Sequence, residues 1–422
     1  MKKISISNVD ETIYEYTCHN GLKVYMWQDN LAEEVNMTLT VKYGSIYTDF
    51  VVNNKNIHVS GGTAHYLEHI KFNEDDKTAA HDFFTNLGSY SNAYTTYDRT
   101  VYSVIASDHL KENLEHLLYF VFNPYFSKKL FDKEMPIITE EAKSVLDNPY
   151  SQGFIKILNN IYFNNQRKNW ITGKHDEVCK ITIDDVKNVF KTFYHPKNMF
   201  LTVTGNIEPE KIVSIVDNYF SDKKEIKYLE PKIVYPEEPD EVVKEKDSLK
   251  CNVAKEKLFL GFKIPKKAFP KYDDLNLLIL LNFLMEINFS PTSLFNESII
   301  KNKIVDDFYY TVNVDETHIL LLFEASSDNP KNISDLIKEK MNNLEVIEED
   351  FNRKVKVYIA SRILDYEKPG AVNNYIVSDI VKYGRIINNL VDIYKDITLD
   401  DLKEVKEKLN YQVSELVLKP QK

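Results

Sequence analysis

The sequence is poor in the residues that define several classes of protein. Its 422 residues include 11 glycines and 14 prolines, too few for a collagen-like or low-complexity chain. It has three widely spaced cysteines, Cys18, Cys179 and Cys251. An odd number at wide spacing argues against a framework of disulfide bonds and is typical of proteins in a reducing compartment. The sequence therefore predicts a cytoplasmic protein.

The sequence also has no excess of basic residues and no long apolar run. The net charge is −11, which excludes the basic footprint of most nucleic-acid-binding proteins. The longest apolar stretch, Leu275–Met285, has 11 residues, whereas a membrane-spanning helix needs about 20. No apolar segment follows the two lysines at the N-terminus, so we expect no secretory signal. We expect neither a nucleic-acid partner nor a membrane partner.

Core-forming residues, by contrast, are abundant. Hydrophobic residues make up 43% of the chain, and 27 Tyr and 23 Phe provide ample material for packed interiors. At about 150 residues per domain the length favours two or three domains. Residues 229–248 combine three prolines with many charges, which is typical of a linker. We therefore predict an N-terminal domain over residues 1–228 and a C-terminal domain over residues 249–422.

The two predicted halves resemble each other at an offset of 217 residues. HYLEHIKF at residues 65–72 aligns with NFLMEINF at residues 282–289. Where the first half has two histidines and a glutamate, the second has Asn282, Met285 and Glu286. We interpret the halves as related domains, of which one could carry chemistry and the other could not.

Strand-like and helical patterns follow one another along the chain. Alternating, β-branched runs predict strands over residues 35–44, 100–106 and 199–206. Helical spacing predicts helices over residues 63–72, 78–87, 109–120, 131–146, 183–193 and 208–220. The predicted fold class is α+β, with two homologous α/β-sandwich domains in which helices cover one face of an antiparallel sheet.

The HYLEH segment has the spacing of a metal site. Residues four apart share one face of a helix, so His65 and His69 can both reach one ion. Glu68 lies beside them on the same helix. A hydrolytic zinc site needs three protein ligands, an open position for water and a nearby carboxylate to take the proton. The alternative is a solvated helix face with two histidines and a carboxylate.

A third ligand is predicted in the acidic segment at residues 131–149. Glu134 and Glu141 are seven residues apart and share one helix face, whereas Glu140 points about 100° away. The two carboxylates can act as a pair, one on the metal and one holding a ligand histidine. Pro136 is expected near the start of this helix. The alternative is again a solvated acidic face.

At these residues the chain resembles the M16 peptidase family, the inverzincins related to pitrilysin, insulin-degrading enzyme and mitochondrial processing peptidase. GGTAHYLEHIKF at residues 61–72 is similar to the family's inverted zinc-binding block. SNAYTTYDRTVYSV at 91–104 resembles its Asn-Ala-x-Thr strand, and EMPIITEEAKSVLDNP at 134–149 resembles the block that supplies the third ligand. Residues 171–212 resemble the family segment that ends in a Tyr-x-Pro-x-Asn motif and a Val-x-Gly-x strand end.

The resemblance implies a role for each matching residue. His65, His69 and Glu141 would bind one zinc ion per chain. Glu68 would be the general base that activates water, and Glu134 would support a ligand histidine.

The resemblance also implies how substrate binds and how the chain assembles. Asn92 and Ala93 fall in the strand that pairs with the backbone of an extended peptide in the family. The two domains would form half of an M16-type clam-shell that encloses a chamber. A second chain is therefore expected, as a homodimer or as a different M16-like subunit.

The second half departs from the family pattern. Active members carry an Arg and a Tyr in a block whose match here is SLFNESIIKNKIVDDFYYT at residues 293–311. Ile299 or Ile300 stands where the Arg is expected. Tyr309 or Tyr310 is expected to replace the Tyr at the substrate, because a phenol can donate a hydrogen bond to the developing oxyanion.

Two functions follow as expectations. The first is a zinc metallopeptidase that hydrolyses short or unfolded peptides, with Glu68 as general base. The second is a non-catalytic or obligate-partner subunit that binds peptide and supports an active chain, which the missing Arg favours.

Overall fold

The computed structural model describes residues 1–224 and 227–421. Its strands are β1 (Lys2–Ile6), β2 (Glu11–Thr17), β3 (Lys23–Gln28), β4 (Val35–Val41), β5 (Asp49–Val52), β6 (Lys55–His58), β7 (Tyr90–Thr95), β8 (Thr100–Ala106), β9 (Met199–Gly205), β10 (Lys232–Ile233), β11 (Lys246–Cys251), β12 (Lys257–Pro265), β13 (Asp307–Val314), β14 (His318–Ser326) and β15 (Gln412–Pro420).

Helices separate these strands along the chain. They are α1 (Thr63–Lys71), α2 (Ala80–Asn86), α3 (Leu110–Phe122), α4 (Lys128–Asp147), α5 (Pro149–Ile161), α6 (His175–Val178), α7 (Ile183–Phe193), α8 (Pro209–Phe220), α9 (Asp274–Phe289), α10 (Leu294–Lys301), α11 (Pro330–Asn342), α12 (Glu348–Leu364), α13 (Pro369–Tyr383), α14 (Leu390–Asp396) and α15 (Leu399–Lys408).

The chain divides into two compact units, each of which is discontinuous in sequence. Unit 1 consists of Met1–Lys143, Asn169–Tyr235 and Arg362–Asn389. Unit 2 consists of Ser144–Lys168, Pro236–Ser361 and Leu390–Lys422. Each unit therefore includes a segment from the other half of the sequence. The predicted linker at residues 229–248 stays a prediction; one of the changes from unit 1 to unit 2, between Tyr235 and Pro236, falls inside it.

Unit 1 contains a seven-stranded sheet in the order β1-β2-β3-β9-β4-β8-β7. Its pairings are antiparallel except for β3 with β9, which run parallel. The central strands β4 and β9 are buried along their whole length, so the threonines that alternate with apolar residues in them are buried as well. Strand β7 is at one edge, and this position matters for the candidate site.

Both faces of the unit 1 sheet are covered. Val24 and Met26 of β3 belong to the larger core together with residues of α1, α3, α7 and α8. The alternate residues Tyr25 and Trp27 point to the other face, where they pack in a second core with Val372 and Ile376 of α13. A helix from the C-terminal half of the sequence therefore completes the unit 1 fold.

Unit 2 contains a five-stranded sheet in the order β11-β15-β12-β14-β13, in which β11 and β15 run parallel. Helix α5, from the N-terminal half of the sequence, packs on β12 and β15. Its Gly153 lies so close that an added Cβ would be 2.5 Å from the Phe259 ring. Helices α9 and α11 also pack on this sheet.

The predicted α+β class is confirmed, with two differences in detail. Each of the two larger sheets has one parallel pairing rather than none. In unit 1, helices cover both faces rather than one, and the central strands are accordingly buried along their whole length. Both halves contain two strands followed by three α-helices. These are β7, β8, α3, α4 and α5 in the first half, and β13, β14, α11, α12 and α13 in the second. This shared order agrees with the predicted relation between the halves.

Within the described residues, no single helix has both the length and the apolar character to cross a membrane. The pair α9 and α10, bent by 41° at their junction, satisfies the length and composition requirements only when taken together.

Candidate metal centre

The candidate centre lies in unit 1, where helix α1 begins directly after a glycine. Gly62 has φ of 88°, a left-handed conformation, and an added Cβ there would be 2.5 Å from the carbonyl oxygen of Thr172. Glycine is the residue that fits such a close approach without strain. The helix buries Ala64, Leu67 and Ile70 in the core. Its orientation is fixed by this packing, which leaves the two histidines on a common face.

The structure brings together the three ligands predicted from the sequence. His65, His69 and Glu141 each offer a donor atom, and these atoms all lie within 4.8 Å of one another. His65 Nε2 is 3.4 Å from Glu141 Oε1, and His69 Nε2 is 3.3 Å from Glu141 Oε2. Zinc bonds of about 2.0–2.1 Å in a tetrahedral site place donor atoms about 3.3–3.4 Å apart. The two short separations end on different oxygens of Glu141, and the full donor set lies within 4.8 Å. Two imidazoles and a carboxylate are nevertheless ligand types that zinc takes, and the set is compact enough to converge on one ion.

Helix α4 supplies both carboxylates of the predicted pair. Glu134 is buried, and its Oε2 lies 3.6 Å from Nδ1 of His69. Glu134 thus faces the second ring nitrogen of the histidine whose first ring nitrogen faces Glu141. Glu140 points away to solvent and pairs with Lys143. Pro136 stands inside α4 rather than near its start, so its predicted position was wrong. The helix tolerates there the loss of one backbone hydrogen bond.

The charges around His69 perturb its protonation. Burial alone would lower the pKa of His69, but the carboxylates of Glu134 and Glu141 outweigh burial and raise this pKa to about 9. The same contacts, with His65 and then His69, hold the pKa of Glu141 well below its ordinary value. Without a metal, a proton on His69 therefore provides the positive charge that these carboxylates stabilise.

Glu68 occupies a different position from the three donor residues. Its side chain is buried, and its Oε2 accepts a hydrogen bond of 2.6 Å from Thr95 Oγ1. Thr95 is the last residue of β7. Thr95 was not predicted as a site residue, although it ends the Asn-Ala-x-Thr block and falls on the same strand face as Ala93.

Strand β7 places the predicted substrate-binding residues at a free edge. On one side β7 pairs with β8, and among the described residues no strand pairs with its other side. Asn92 is exposed, and its Oδ1 accepts a hydrogen bond of 2.9 Å from the backbone N–H of Ala93. An edge of this kind can accept an extended peptide through main-chain hydrogen bonds.

The predicted residues of the second half lie in unit 2, on β13. The Tyr310 hydroxyl donates a hydrogen bond of 2.7 Å to Glu286 Oε1, whereas the Tyr309 side chain is largely exposed. Glu286 also pairs with the Lys354 ammonium at 2.7 Å. Glu286 stands at the position that aligns with His69, so unit 2 has an ion pair where unit 1 has the histidines. The predicted substrate contacts of both tyrosines stay predictions.

Comparison with known proteins gives consistent results over most of the chain. The family described as insulinase (peptidase family M16) matches residues 23–174, and the family described as the peptidase M16 inactive domain matches residues 180–356. An uncharacterized zinc protease of Bacillus subtilis, YmfH, is 29% identical over 416 residues, which cover 96% of this chain and 95% of the relative.

Other known proteins are similar to this chain in sequence over about half of its length, or in fold alone. The beta subunit of the mitochondrial-processing peptidase of Bos taurus is 28% identical over 222 residues, 51% of this chain and 43% of that protein. The crystal structure of an M16-like peptidase from Alicyclobacillus acidocaldarius superposes with a TM-score of 0.91 at 21% identity, covering 99% of this chain and 100% of that one.

Proposed function

Because the chain belongs to the peptidase M16 family, we propose that it is a zinc-dependent endopeptidase that hydrolyses short or unfolded peptides. The observation that carries this proposal is the convergence of His65, His69 and Glu141 within 4.8 Å, with Glu68 buried beside them. Family membership alone does not carry it, because the family match of residues 180–356 is described as an inactive domain.

In this proposal the histidines and Glu141 hold the metal. His65 and His69 would bind it through Nε2, and a carboxylate oxygen of Glu141 would be the third ligand. When bound, zinc would lower the pKa of a water molecule and polarise the carbonyl group of the peptide. Glu134 orients the ring of His69 through Nδ1, which is the usual arrangement behind a zinc-binding histidine.

Glu68 moves the proton in the proposed reaction. Its carboxylate takes a proton from the attacking water and returns it to the nitrogen of the leaving amine. The low exposure of Glu68 keeps its carboxylate out of bulk solvent, and the hydrogen bond from Thr95 fixes one carboxylate oxygen. The second oxygen remains available for the proton.

Strand β7 holds the substrate in the proposed complex. Pairing of an extended peptide with the free edge of β7 would use backbone groups, which demand little of the peptide sequence. Folded proteins do not present such a free backbone, so short peptides and unfolded segments are the expected substrates. A digest of an unstructured peptide library, with and without a zinc chelator, tests this proposal. Cleavage that the chelator does not affect would contradict it.

The raised pKa of His69 gives a prediction for zinc affinity. A zinc-binding imidazole must be neutral, and without metal the carboxylates raise the pKa of His69 to about 9 against the effect of burial. Zinc must therefore displace a proton below about pH 9. The apparent affinity is expected to rise about tenfold per pH unit from pH 6.5 to 8.5. Competition with a chromophoric chelator measures this slope, and an affinity independent of pH would contradict the assignment.

A second candidate function is that of a subunit that needs a partner for activity. Two observations favour it, namely the isoleucines at the position expected for an Arg and the Glu286–Lys354 ion pair in unit 2. The mitochondrial relative is itself named as a subunit. We propose accordingly that the chain works as a dimer, with a second copy or with another M16-like subunit. Zinc binding without cleavage until a co-purified protein is added would favour this second function.

We propose the cytoplasm as the location of either activity. All three cysteines are free thiols, which supports a reducing compartment. Fractionation of the native host with an antibody against the chain tests this location.

A further inference from the structure

Glu68 has one direct hydrogen-bond partner in the described part of the chain. Its Oε2 accepts from Thr95 Oγ1 at 2.6 Å, a short distance typical of a hydroxyl that donates to an ionised carboxylate. The two residues come from different elements, α1 and the edge strand β7. The orientation of the Glu68 carboxylate thus depends on the strand as well as on its own helix.

The proton on Thr95 is directed to Glu68 by its surroundings. Thr100 Oγ1 lies 3.5 Å from Thr95 Oγ1, but the Thr100 hydroxyl donates to the carbonyl oxygen of Tyr43 at 3.0 Å. The hydroxyl proton of Thr100 is therefore engaged with Tyr43 and is not donated to Thr95. Thr95 has one hydroxyl proton, and the Glu68 carboxylate is the acceptor within the shorter distance.

Thr95 is also held firmly by its backbone. It pairs with Thr100 at the end of the β7–β8 ladder, and the next residue, Thr96, donates its N–H to the carbonyl of Arg99 at 2.8 Å. A β-branched side chain in a strand has few χ1 states to choose from. The hydroxyl therefore has little freedom to leave Glu68.

We propose that Thr95 is a positioning residue that holds the Glu68 carboxylate for proton transfer and ties it to the strand that binds the peptide. This inference rests on the proposed function. Among the described residues, the hydrogen-bond neighbours of the Thr95 hydroxyl are Glu68 and Thr100, so Thr95 would act on the reaction through Glu68. Its effect is expected on kcat more than on KM.

A second hydroxyl on β7 provides a matched control. Ser91 lies on the same face of β7, four residues before Thr95, and its Oγ is 2.6 Å from His81 Nδ1. This bond also joins the strand to a helix, α2, but does not involve Glu68. Loss of the Ser91 hydroxyl therefore weakens the attachment of the strand without changing the contact of Glu68.

Kinetics of three variants test the proposal. Thr95→Val keeps the shape of the side chain and removes the hydroxyl, and it is expected to lower kcat about 10- to 100-fold with KM within about threefold. Thr95→Ser restores a hydroxyl and is expected to recover most of kcat. Ser91→Ala loosens the strand that binds the peptide without changing the contact of Glu68, so its effect is expected on KM, with kcat changed less than about threefold. The proposal is overturned if Thr95→Val keeps normal kcat, if serine does not rescue, or if Ser91→Ala loses as much kcat.

Crystal structures of the Thr95 variants give a readout that does not depend on activity. The Glu68 carboxylate is expected to leave its position in Thr95→Val and to keep it in Thr95→Ser. An unchanged carboxylate in Thr95→Val would overturn the proposal even for a chain that needs a partner to cleave peptides. Absence of all peptide cleavage by the wild-type chain, with and without co-purified proteins, would instead contradict the proposed function. Zinc content equal to wild type in each variant shows that the metal ligands are intact.

Discussion

Replacement of Glu68 by glutamine is expected to lower kcat for peptide hydrolysis by about 10²- to 10⁴-fold, the usual contribution of a general base. Glutamine has the same shape, and its amide oxygen can still accept the hydrogen bond from Thr95. It cannot, however, take a proton at neutral pH. Glu68 is not among the three donor residues, so zinc content should remain at the wild-type level.

The matched control for this experiment is Glu140→Gln, which removes the same charge nearby. Glu140 is exposed and pairs with Lys143 rather than with the histidines. Its loss is expected to change kcat less than about threefold, since an exposed ion pair contributes little. Hydrolysis by Glu68→Gln at a rate close to wild type would exclude Glu68 as the general base.

Replacement of Glu141 by alanine is expected to remove both zinc and activity. Glu141 contacts both histidines, at 3.4 Å and 3.3 Å, and is the carboxylate member of the donor set. Loss of an outer partner of a metal ligand costs about 10- to 100-fold in affinity, and loss of a ligand should exceed that range. Zinc per chain after dialysis, measured by elemental analysis, is expected to fall to background.

Substitutions of Glu134 and Glu140, the neighbouring carboxylates on α4, are expected to give smaller losses of zinc affinity than Glu141→Ala. Glu134→Ala removes the carboxylate that faces His69 Nδ1 but leaves the donor atoms in place, and it is expected to weaken zinc binding by about 10- to 100-fold. Glu140→Ala should leave zinc affinity unchanged. If Glu141→Ala kept its zinc while Glu134→Ala lost it, the assignment of ligand and supporting carboxylate would be reversed.

Much of the site could be predicted from sequence because it depends on local geometry. The spacing of His65 and His69 determines a shared helix face wherever the helix lies, and the seven-residue spacing of Glu134 and Glu141 does the same. That α4 lies against α1 does not follow from either pattern. The resemblance to a family provided this relation, and the structure shows the resulting contact.

Other features depend on contacts between distant segments and could not be predicted in this way. Thr95 is an ordinary residue for a strand, and its hydrogen bond to Glu68 depends on how β7 packs against α1. Helices α5 and α13 have amphipathic patterns that do not specify which sheet they cover. Pro136 was misplaced because proline is common at helix starts, while a long helix held by buried neighbours can accommodate it inside.

The most direct test of the account is a crystal structure of the zinc-loaded chain with anomalous diffraction data collected at the zinc edge. We predict one anomalous peak in unit 1, bonded to Nε2 of His65, Nε2 of His69 and a carboxylate oxygen of Glu141 at about 2.0–2.2 Å. A peak bonded to other residues, or no peak in this position from protein that contains stoichiometric zinc, would contradict it.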